Sequence, residues 1–337
     1  MEINENSIID KPEIQTQQII TDIDIMSTEY QPPCWIVPGL LPEGLTVLAG
    51  KPKIGKSMLS LNLSVSISTG GIALGHVSVE QKDVLYLALE DTPRRIQDRI
   101  SPILKGSPPS GRLNFALSWP KMDGTGLEEL DRWLDGRPDA GLVVIDTLAR
   151  IRGSKRNGST LYDADYDDIC RIKSIADQHH ITIVLVHHLR KAGADDILDL
   201  VSGSTGLTAA ADTVAVLKRE RARADAILYI TGRDVEDKEL ALRFDDSSTS
   251  FVLLGAAEDY RISKERQEIL EQLRALGGPA KLKDIAATLN KQPNNVHKLL
   301  GGLIEQGLVE QPNYGQYCLT GRSGESGESG EKSQLPN

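Results

Sequence analysis

Residues 45–57 read Leu45-Thr46-Val47-Leu48-Ala49-Gly50-Lys51-Pro52-Lys53-Ile54-Gly55-Lys56-Ser57. An apolar run is followed at once by the pattern G-x-x-x-x-G-K-S. In such a pattern glycines let successive backbone N–H groups turn onto phosphate oxygens, and the next helix adds its positive N-terminal end. The order strand, loop, helix therefore predicts a phosphate-binding loop on an α/β sheet. The alternative is an ordinary glycine-rich turn.

The loop also assigns individual roles. Lys56 would reach the β- and γ-phosphates of ATP, and Ser57 would hold Mg²⁺. The predicted nucleotide-binding residues are Gly50, Lys51, Pro52, Lys53, Ile54, Gly55, Lys56, Ser57 and Met58.

Composition and charge limit the class of protein. The chain has 337 residues, of which 39% are hydrophobic and 26% charged, as in a soluble globular protein larger than one ordinary domain. The net charge of −10 argues against a basic, histone-like nucleic-acid binder, although a local basic channel is compatible with it. The cysteines form no C-x-x-C pair, which suits a reducing cytosol, and no apolar run reaches the ~18 residues of a membrane span. We predict a cytoplasmic protein without membrane contact.

Apolar β-branched runs alternate with helical patterns over residues 31–257, after a polar segment of residues 1–30 that we expect to be a flexible arm. Strands that are apolar on both faces and separated by helices predict an α/β fold with a mostly parallel sheet and helices on both faces. The last strands are close together in sequence and are expected to extend the sheet antiparallel. The predicted strands are 45–49, 84–89, 142–145, 181–186, 213–217 and 227–230. The predicted helices are 57–68, 93–104, 127–134 and 166–179.

The pattern changes to short helices after residue 257. Helical segments at 264–276, 281–289 and 294–306 are separated by Gly and Pro breaks, and a hairpin pattern follows. We predict a winged helix-turn-helix domain over residues 258–320. It carries eight Lys/Arg against six Asp/Glu between Arg261 and Glu310, so DNA binding and docking to a protein are equal alternatives. The Ser-Gly-Glu repeats of residues 321–337 predict a disordered tail.

Three of the predicted strands end in a polar side chain at the edge where α/β sheets bind ligands. Glu90 could orient and deprotonate water for attack on a γ-phosphate, with a capping or solvated role as the alternative. Asp146 would hold Mg²⁺, although strand ends often carry Asp as a turn former. His188, which follows His187, would sense the γ-phosphate, with a loop role or a metal site as the alternatives.

Two further acidic stretches are assigned to helix starts. Asp91 is expected to cap the helix that begins at Pro93. The aspartates of residues 163–168 are expected to favour the N-terminus of the next predicted helix through its dipole, in preference to forming a metal site.

These motifs occur in a characteristic order. They are, in order, Pro38–Gly44, the phosphate loop, Leu85–Asp91, the strand of Asp146 and His187-His188. Together they resemble RecA-like ATPases of the plasmid RepA type. These are hexameric replicative helicases of plasmids and phages, related to the DnaB group, and the resemblance covers about residues 31–254. It implies a ring-forming ATPase that uses ATP and Mg²⁺ and translocates on single-stranded DNA. A replication initiator or a primase would be its further partner. By this resemblance Lys56 is the phosphate ligand, and Ser57 and Asp146 are the metal ligands. Glu90 is the base and His188 is the sensor.

A ring ATPase completes each site with a cation from the neighbouring subunit, because developing phosphoryl charge needs stabilisation. Residues 227–234 resemble the strand that carries a Lys-x-Arg pair in the DnaB group. This maps Arg233 onto the arginine finger and places Thr231 where that group has Lys. The alternative fingers are Lys218, Arg219 and Arg221.

RecA-like rings bind a single strand through the two loops that follow the strands of Asp146 and His188. Both loops carry cations and glycines here, which suits contact with phosphates, and neither has an aromatic platform for stacking bases. We therefore expect backbone contact without sequence preference, with a solvated charge run as the alternative. The predicted DNA contacts are Arg150, Arg152, Lys155, Arg156, Arg190 and Lys191.

The sequence thus predicts an ATPase, and by resemblance a replicative helicase of a mobile element. Two other functions stay open. One is a RecA-like ATPase that remodels DNA or protein filaments without unwinding. The other is a DNA-binding regulator in which ATP changes the affinity of the winged helix.

Overall fold

The computed structural model describes residues 19–30, 32–122, 124–153, 161–189, 210–219 and 225–320, without the side chains of residues 161–165. The chain divides into two units, Met1–Pro33 and Cys34–Asn337. In the first unit, helix α1 (Asp22–Ser27) begins at a capping box formed by Thr21 and Asp24. Ile23 and Met26 of this helix are exposed. The described part of the predicted arm, residues 19–30, therefore contains one short helix, while the predicted tail lies outside the described residues.

The second unit contains the remaining described elements. Its strands are β1 (Trp35–Val37), β2 (Leu41–Pro42), β3 (Gly44–Gly50), β4 (Gly71–Ala73), β5 (Val77–Val79), β6 (Asp83–Ala88), β7 (Leu113–Ala116), β8 (Ala140–Asp146), β9 (Thr182–His188), β10 (Thr213–Arg219), β11 (Asp225–Gly232), β12 (Lys238–Asp245), β13 (Ser250–Ala256), β14 (Ala280–Lys281), β15 (Val309–Asn313) and β16 (Gln316–Leu319). Its helices are α2 (Lys56–Thr69), α3 (Pro93–Leu104), α4 (Thr125–Asp135), α5 (Leu148–Ile151), α6 (Leu161–His179), α7 (Ala257–Leu276), α8 (Leu282–Thr288) and α9 (Pro293–Glu305).

A nine-stranded sheet in the order β13-β12-β11-β10-β3-β9-β8-β6-β7 forms the centre of this unit. Six adjacent strands run parallel to one another, in the order β7, β6, β8, β9, β3 and β10. Strands β11, β12 and β13 continue the sheet antiparallel. The predicted α/β class and the antiparallel extension are confirmed. Strands β7, β12 and β13, which are only partly buried, were not predicted from the sequence.

Helices cover both faces of the sheet because its central strands are apolar on both faces. Successive side chains of a strand point to opposite faces, so Leu48 of β3 joins one hydrophobic cluster and Val47 the other. On the first face Leu59 of α2 packs into the cluster. On the second face the cluster includes Leu130 of α4 and Ile172 of α6. The phosphate loop is thereby held between a buried strand and a buried helix.

The prediction that Asp91 caps the helix at Pro93 is wrong. Helix α3 begins at Pro93 as expected, but its N-cap is Thr92, whose hydroxyl accepts from the backbone N–H of Arg95. Asp91 instead forms an ion pair with Arg99, further along the same helix.

Helix α6 begins at Leu161, five residues earlier than expected, so Asp163 falls in its first turn whereas Asp168 lies inside it. The Asp168 carboxylate is buried and accepts from the backbone N–H of Gly153 at 2.9 Å. It therefore anchors the segment that follows α5 and does not stabilise a helix start.

The C-terminal helices form a separate hydrophobic cluster with the small sheet β14-β16-β15. The cluster includes Ile269 of α7, Val296 and Leu300 of α9, and Tyr317 of β16. Helix α7 follows β13 directly and also packs against β12 and β13. No helix in the described part of the chain is both long enough and apolar enough to cross a membrane.

Candidate nucleotide site

The parallel strands bring the predicted polar residues to one edge of the sheet. Gly50 at the end of β3 is in register with His188 of β9, and Ala88 of β6 is in register with Asp146 of β8. Glu90 follows β6 by two residues. Because parallel strands share their carboxyl edge, the phosphate loop, Glu90, Asp146 and His188 lie around one opening.

The phosphate loop is closed around the ammonium group of Lys56. This side chain is 3% exposed, and its Nζ donates to the backbone oxygens of Gly50 at 2.8 Å and Lys51 at 2.9 Å. Burial lowers the pKa of Lys56 to about 8, and the charge of Asp146 opposes that shift. Gly55 begins the turn into α2 with φ +107°, a conformation that L side chains rarely adopt. A cation held beside the backbone N–H groups of such a loop is suited to bind phosphate oxygens.

Asp146 is 6% exposed and lies beside the start of α2. Tyr86 donates its hydroxyl proton to Oδ2 of Asp146 at 3.0 Å. Burial raises the pKa of the Asp146 carboxyl, while hydrogen bonds from Ser57 and Tyr86 oppose the shift. A buried carboxylate next to a hydroxyl oxygen is the donor set that Mg²⁺ prefers, and a cation there would offset the cost of burying the charge. The residues therefore fit the metal that a phosphate loop uses.

Glu90 is more open to solvent than Asp146, with 45% of its side chain exposed. Its Oε1 accepts from the hydroxyl of Thr147 at 3.3 Å and from Nε of Arg150 at 3.3 Å. The carboxylate therefore stands at the solvent side of the opening, where a water molecule can reach it.

His188 lies beside the loop, and the backbone N–H of Leu189 donates to the carbonyl of Gly50 at 3.1 Å. Burial lowers the pKa of His188, as does the nearby charge of Lys56, so the imidazole is neutral at pH 7 and can donate one hydrogen bond. Within the described ranges, the three-residue group with metal-ligand spacing is elsewhere, at Asp131, Asp135 and His179. The metal alternative for His187 and His188 therefore gains no third ligand from these residues.

Arg233 lies at the opposite edge of the sheet. Strand β11 is antiparallel to β10, so its end meets Thr213, which is in register with the start of β3. The guanidinium of Arg233 is 60% exposed and pairs with Asp212 at 3.1 Å. Arg233 is thus remote from the phosphate loop of its own chain, and its predicted action on a neighbouring subunit stays a prediction.

Arg219, one of the alternative fingers, lies beside the loop of its own chain. Its guanidinium stacks on the ring of Phe244 at 4.6 Å and lies 5.7 Å from that of Phe251. Its Nη1 is 3.7 Å from the position that a Cβ of Gly55 would occupy. Two aromatic rings therefore hold a cation next to the second glycine of the phosphate loop.

The predicted DNA contacts are only partly described. Arg150 is 61% exposed at the end of α5, and Arg152 is half-buried just beyond it. The other predicted contacts lie outside the described residues: Lys155, Arg156, Arg190 and Lys191. The alternative finger Arg221 also lies outside them.

Two residues at the site were missed by the sequence analysis. Tyr86 places a hydroxyl within an otherwise apolar strand, and a buried Tyr hydroxyl usually has a hydrogen-bond partner, which was a usable signal. Thr147 follows Asp146 directly and gave no signal of its own, because its bond to Glu90 depends on the pairing of β6 with β8.

Two family models match parts of the chain. Residues 11–194 match a family model described as an AAA domain, and residues 268–312 match one described as the IclR helix-turn-helix domain. The second match confirms the predicted winged helix.

Among solved structures, an isolated ATPase domain has a TM-score of 0.51 at 15% identity, over 63% of this chain and 85% of that one. A DnaB-like replicative helicase, solved to show its interactions with primase, has a TM-score of 0.50 at 15% identity. That match covers 66% of this chain and 62% of the helicase, so the chain spans less than two thirds of the helicase's length. These likenesses show a shared RecA-like fold.

Proposed function

The chain belongs to the AAA domain family, and on that premise we propose that it is a Mg²⁺-dependent ATPase. The observation that carries the proposal is the meeting of a buried Lys56 and a buried Asp146 at the carboxyl edge of the sheet, below an exposed Glu90. We assign the ATPase to residues 31–257 and a winged helix to residues 258–320.

Each side chain has a role set by its environment. Lys56 and the loop N–H groups bind the phosphates, and Ser57 and Asp146 hold Mg²⁺. Mg²⁺ held by these two residues would supply neutralisation of phosphate charge. Glu90 orients the attacking water and accepts its proton, since it is a carboxylate that solvent can reach. The neutral His188 donates a hydrogen bond to the γ-phosphate and reports its loss.

We further propose that the ATPase works as a ring on single-stranded DNA and acts as a replicative helicase of a plasmid, phage or other mobile element. The RecA-like fold and the motif order support this, as does the exposed Arg150 beside Glu90. Within the ring, Arg233 would complete the site of the neighbouring subunit. A replication initiator or a primase would be the partner that loads or follows the ring.

Lys56→Ala tests the ATPase. It should abolish ATP turnover, because no other described side chain occupies the same buried position among the loop carbonyls. Lys283→Ala, on the exposed surface of α8, is the matched control and should leave turnover unchanged. Equal turnover of the Lys56 variant and the wild type would refute the site.

Unwinding of a forked duplex tests the helicase. The wild type should separate the strands in the presence of ATP and Mg²⁺, and its mass in solution should be that of a hexamer with ATP and single-stranded DNA. An active ATPase that never unwinds under any loading condition would support the remodelling alternative. A monomer under all conditions would refute both the ring and a finger in trans.

A second candidate function rests on the winged helix. Helix α9 buries Val296 and Leu300 on one face. Its opposite, exposed face carries the polar side chains of Asn294, Asn295, His297 and Lys298. A helix with such a polar face can enter a major groove. A DNA-binding regulator would bind duplex DNA in a sequence-specific way that survives Lys56→Ala and is lost in the triple variant Asn294→Ala, Asn295→Ala, Lys298→Ala. Duplex binding that the triple variant retains would exclude this function.

A further inference from the structure

Arg150 connects two parts of the site that the sequence analysis treated separately. Its Nε donates to Oε1 of Glu90 at 3.3 Å, and the hydroxyl of Thr147 donates to the same oxygen at 3.3 Å. A residue predicted to contact DNA thus holds the carboxylate predicted to activate water.

The main chain of Arg150 is fixed, whereas its side chain is accessible. The Arg150 N–H donates to the carbonyl of Thr147 at 3.0 Å, and its carbonyl accepts from Nζ of Lys121 at 2.9 Å. The next residue, Ile151, is fully buried and accepts from the N–H of the fully buried Met122. The side chain of Arg150 is 61% exposed. The side chain can therefore change partner without disturbing the core.

The pair with Glu90 is suited to be exchanged. Both side chains are about half-exposed and the bond is long, so solvent screens the attraction and the pair is weak. A guanidinium presents five N–H donors in a planar fork that matches a phosphate, and the bond to Glu90 uses Nε. A phosphate of a nucleic-acid backbone can offer Arg150 two hydrogen bonds in place of one.

We propose that Arg150 is a positioning residue for Glu90, and that a backbone phosphate of single-stranded DNA releases Glu90 by taking the guanidinium. This inference rests on the proposed function. In the DNA-free protein Oε1 of Glu90 accepts two hydrogen bonds, so both of its lone pairs are occupied and cannot accept one from the attacking water. When DNA binds Arg150, one of these bonds is lost and hydrolysis accelerates.

The test measures ATP turnover of the full chain at saturating ATP and Mg²⁺, without DNA and with saturating oligo(dT). Arg150→Ala should raise the DNA-free kcat by about two- to five-fold, as expected for the loss of a weak exposed ion pair, with KM for ATP unchanged. The ratio of the DNA-stimulated to the DNA-free rate should fall by the same factor. Arg150→Lys, which keeps the charge, should restore part of the restraint.

Arg94→Ala is the matched control, because Arg94 is 80% exposed on α3 and pairs with Asp98. It should behave as the wild type in both conditions. A DNA-free kcat of Arg150→Ala that is unchanged or lowered, in a variant that unfolds at the wild-type temperature, overturns the proposal.

Failure of the proposed function gives a different result. If wild-type turnover does not depend on Lys56, the ATPase itself is refuted, and this inference with it. If turnover depends on Lys56 but oligo(dT) does not stimulate it, DNA is refuted as the releasing ligand whatever Arg150→Ala does.

Discussion

Replacing Tyr86 by Phe removes one hydroxyl from the centre of the candidate site. The ring itself packs 5.6 Å from that of Phe115, and Phe at this position keeps that contact. The hydroxyl has one proton and two acceptors within reach, and the carboxylate of Asp146 at 3.0 Å is nearer than the carbonyl of Ser57 at 3.3 Å. Burial and the charge of Asp146 raise the pKa of Tyr86 well above its ordinary value, so the group is a donor at all physiological pH values.

The size of the effect follows from this geometry. A hydrogen bond to a charged group is worth about 1.5–3 kcal/mol, and Asp146 is too deeply buried for water to replace the lost donor freely. We expect Tyr86→Phe to lower the free energy of unfolding by about 2 kcal/mol. Because Tyr86 also orients a carboxylate that would hold Mg²⁺, the Mg²⁺ concentration for half-maximal ATP turnover should rise by about tenfold.

Urea unfolding of the nucleotide-free protein and a Mg²⁺ titration of ATP turnover measure the two effects. Tyr314→Phe, at the fully exposed tip between β15 and β16, removes the same atom and should change neither quantity. A Tyr86 variant within about 0.5 kcal/mol of wild type and with unchanged Mg²⁺ dependence would refute the reasoning, since surface substitutions alone reach that range.

Three other substitutions test other parts of the molecule. Gly50→Ala should abolish binding of a fluorescent ATP analogue, because its Cβ would lie 2.6 Å from the backbone oxygen of Leu217, and retained binding would show that the loop can shift. Gly301→Ala, where a Cβ meets no atom within 4 Å, should instead stabilise α9 by about 0.5–1 kcal/mol in urea unfolding, and a loss of stability would contradict the open helix face. Subunits carrying Arg233→Ala, mixed with Lys56→Ala subunits, should recover part of the ATP turnover at mixed interfaces; no recovery would argue against Arg233 acting in trans.

Strong local signals predicted most of the fold. Pro93 marked the start of α3 because proline is favoured at the first helical position, and glycines marked both ends of the phosphate loop. The expected start of α6 is too late, because the aspartates before Ile169 suggest a helix terminus whereas Asp168 serves as an acceptor for Gly153. Strands β12 and β13 were missed because their side chains are only partly buried and mix apolar with polar residues.

The candidate site was predictable only as far as the residues at the ends of its strands. Glu90, Asp146 and His188 could be placed at one edge because parallel strands share it. The bonds from Tyr86 to Asp146 and from Arg150 to Glu90 depend on how β6 and β8 pair, and sequence alone does not determine that register. The same limit applies to Arg219, whose neighbours on β12 and β13 are far away in sequence.

Helix α7 gives the winged helix a mechanical connection to the ATPase. It is one uninterrupted helix of 20 residues that starts directly after β13, and ion pairs fasten its first half to the sheet: Arg261 to Glu239 and Lys264 to Asp225. Such a helix is about 30 Å long, so a tilt of about 5° at the sheet displaces its far end by about 2.6 Å. A small rotation of the sheet edge would thereby be enlarged into a movement of the far end of α7 comparable to the spacing of neighbouring base pairs.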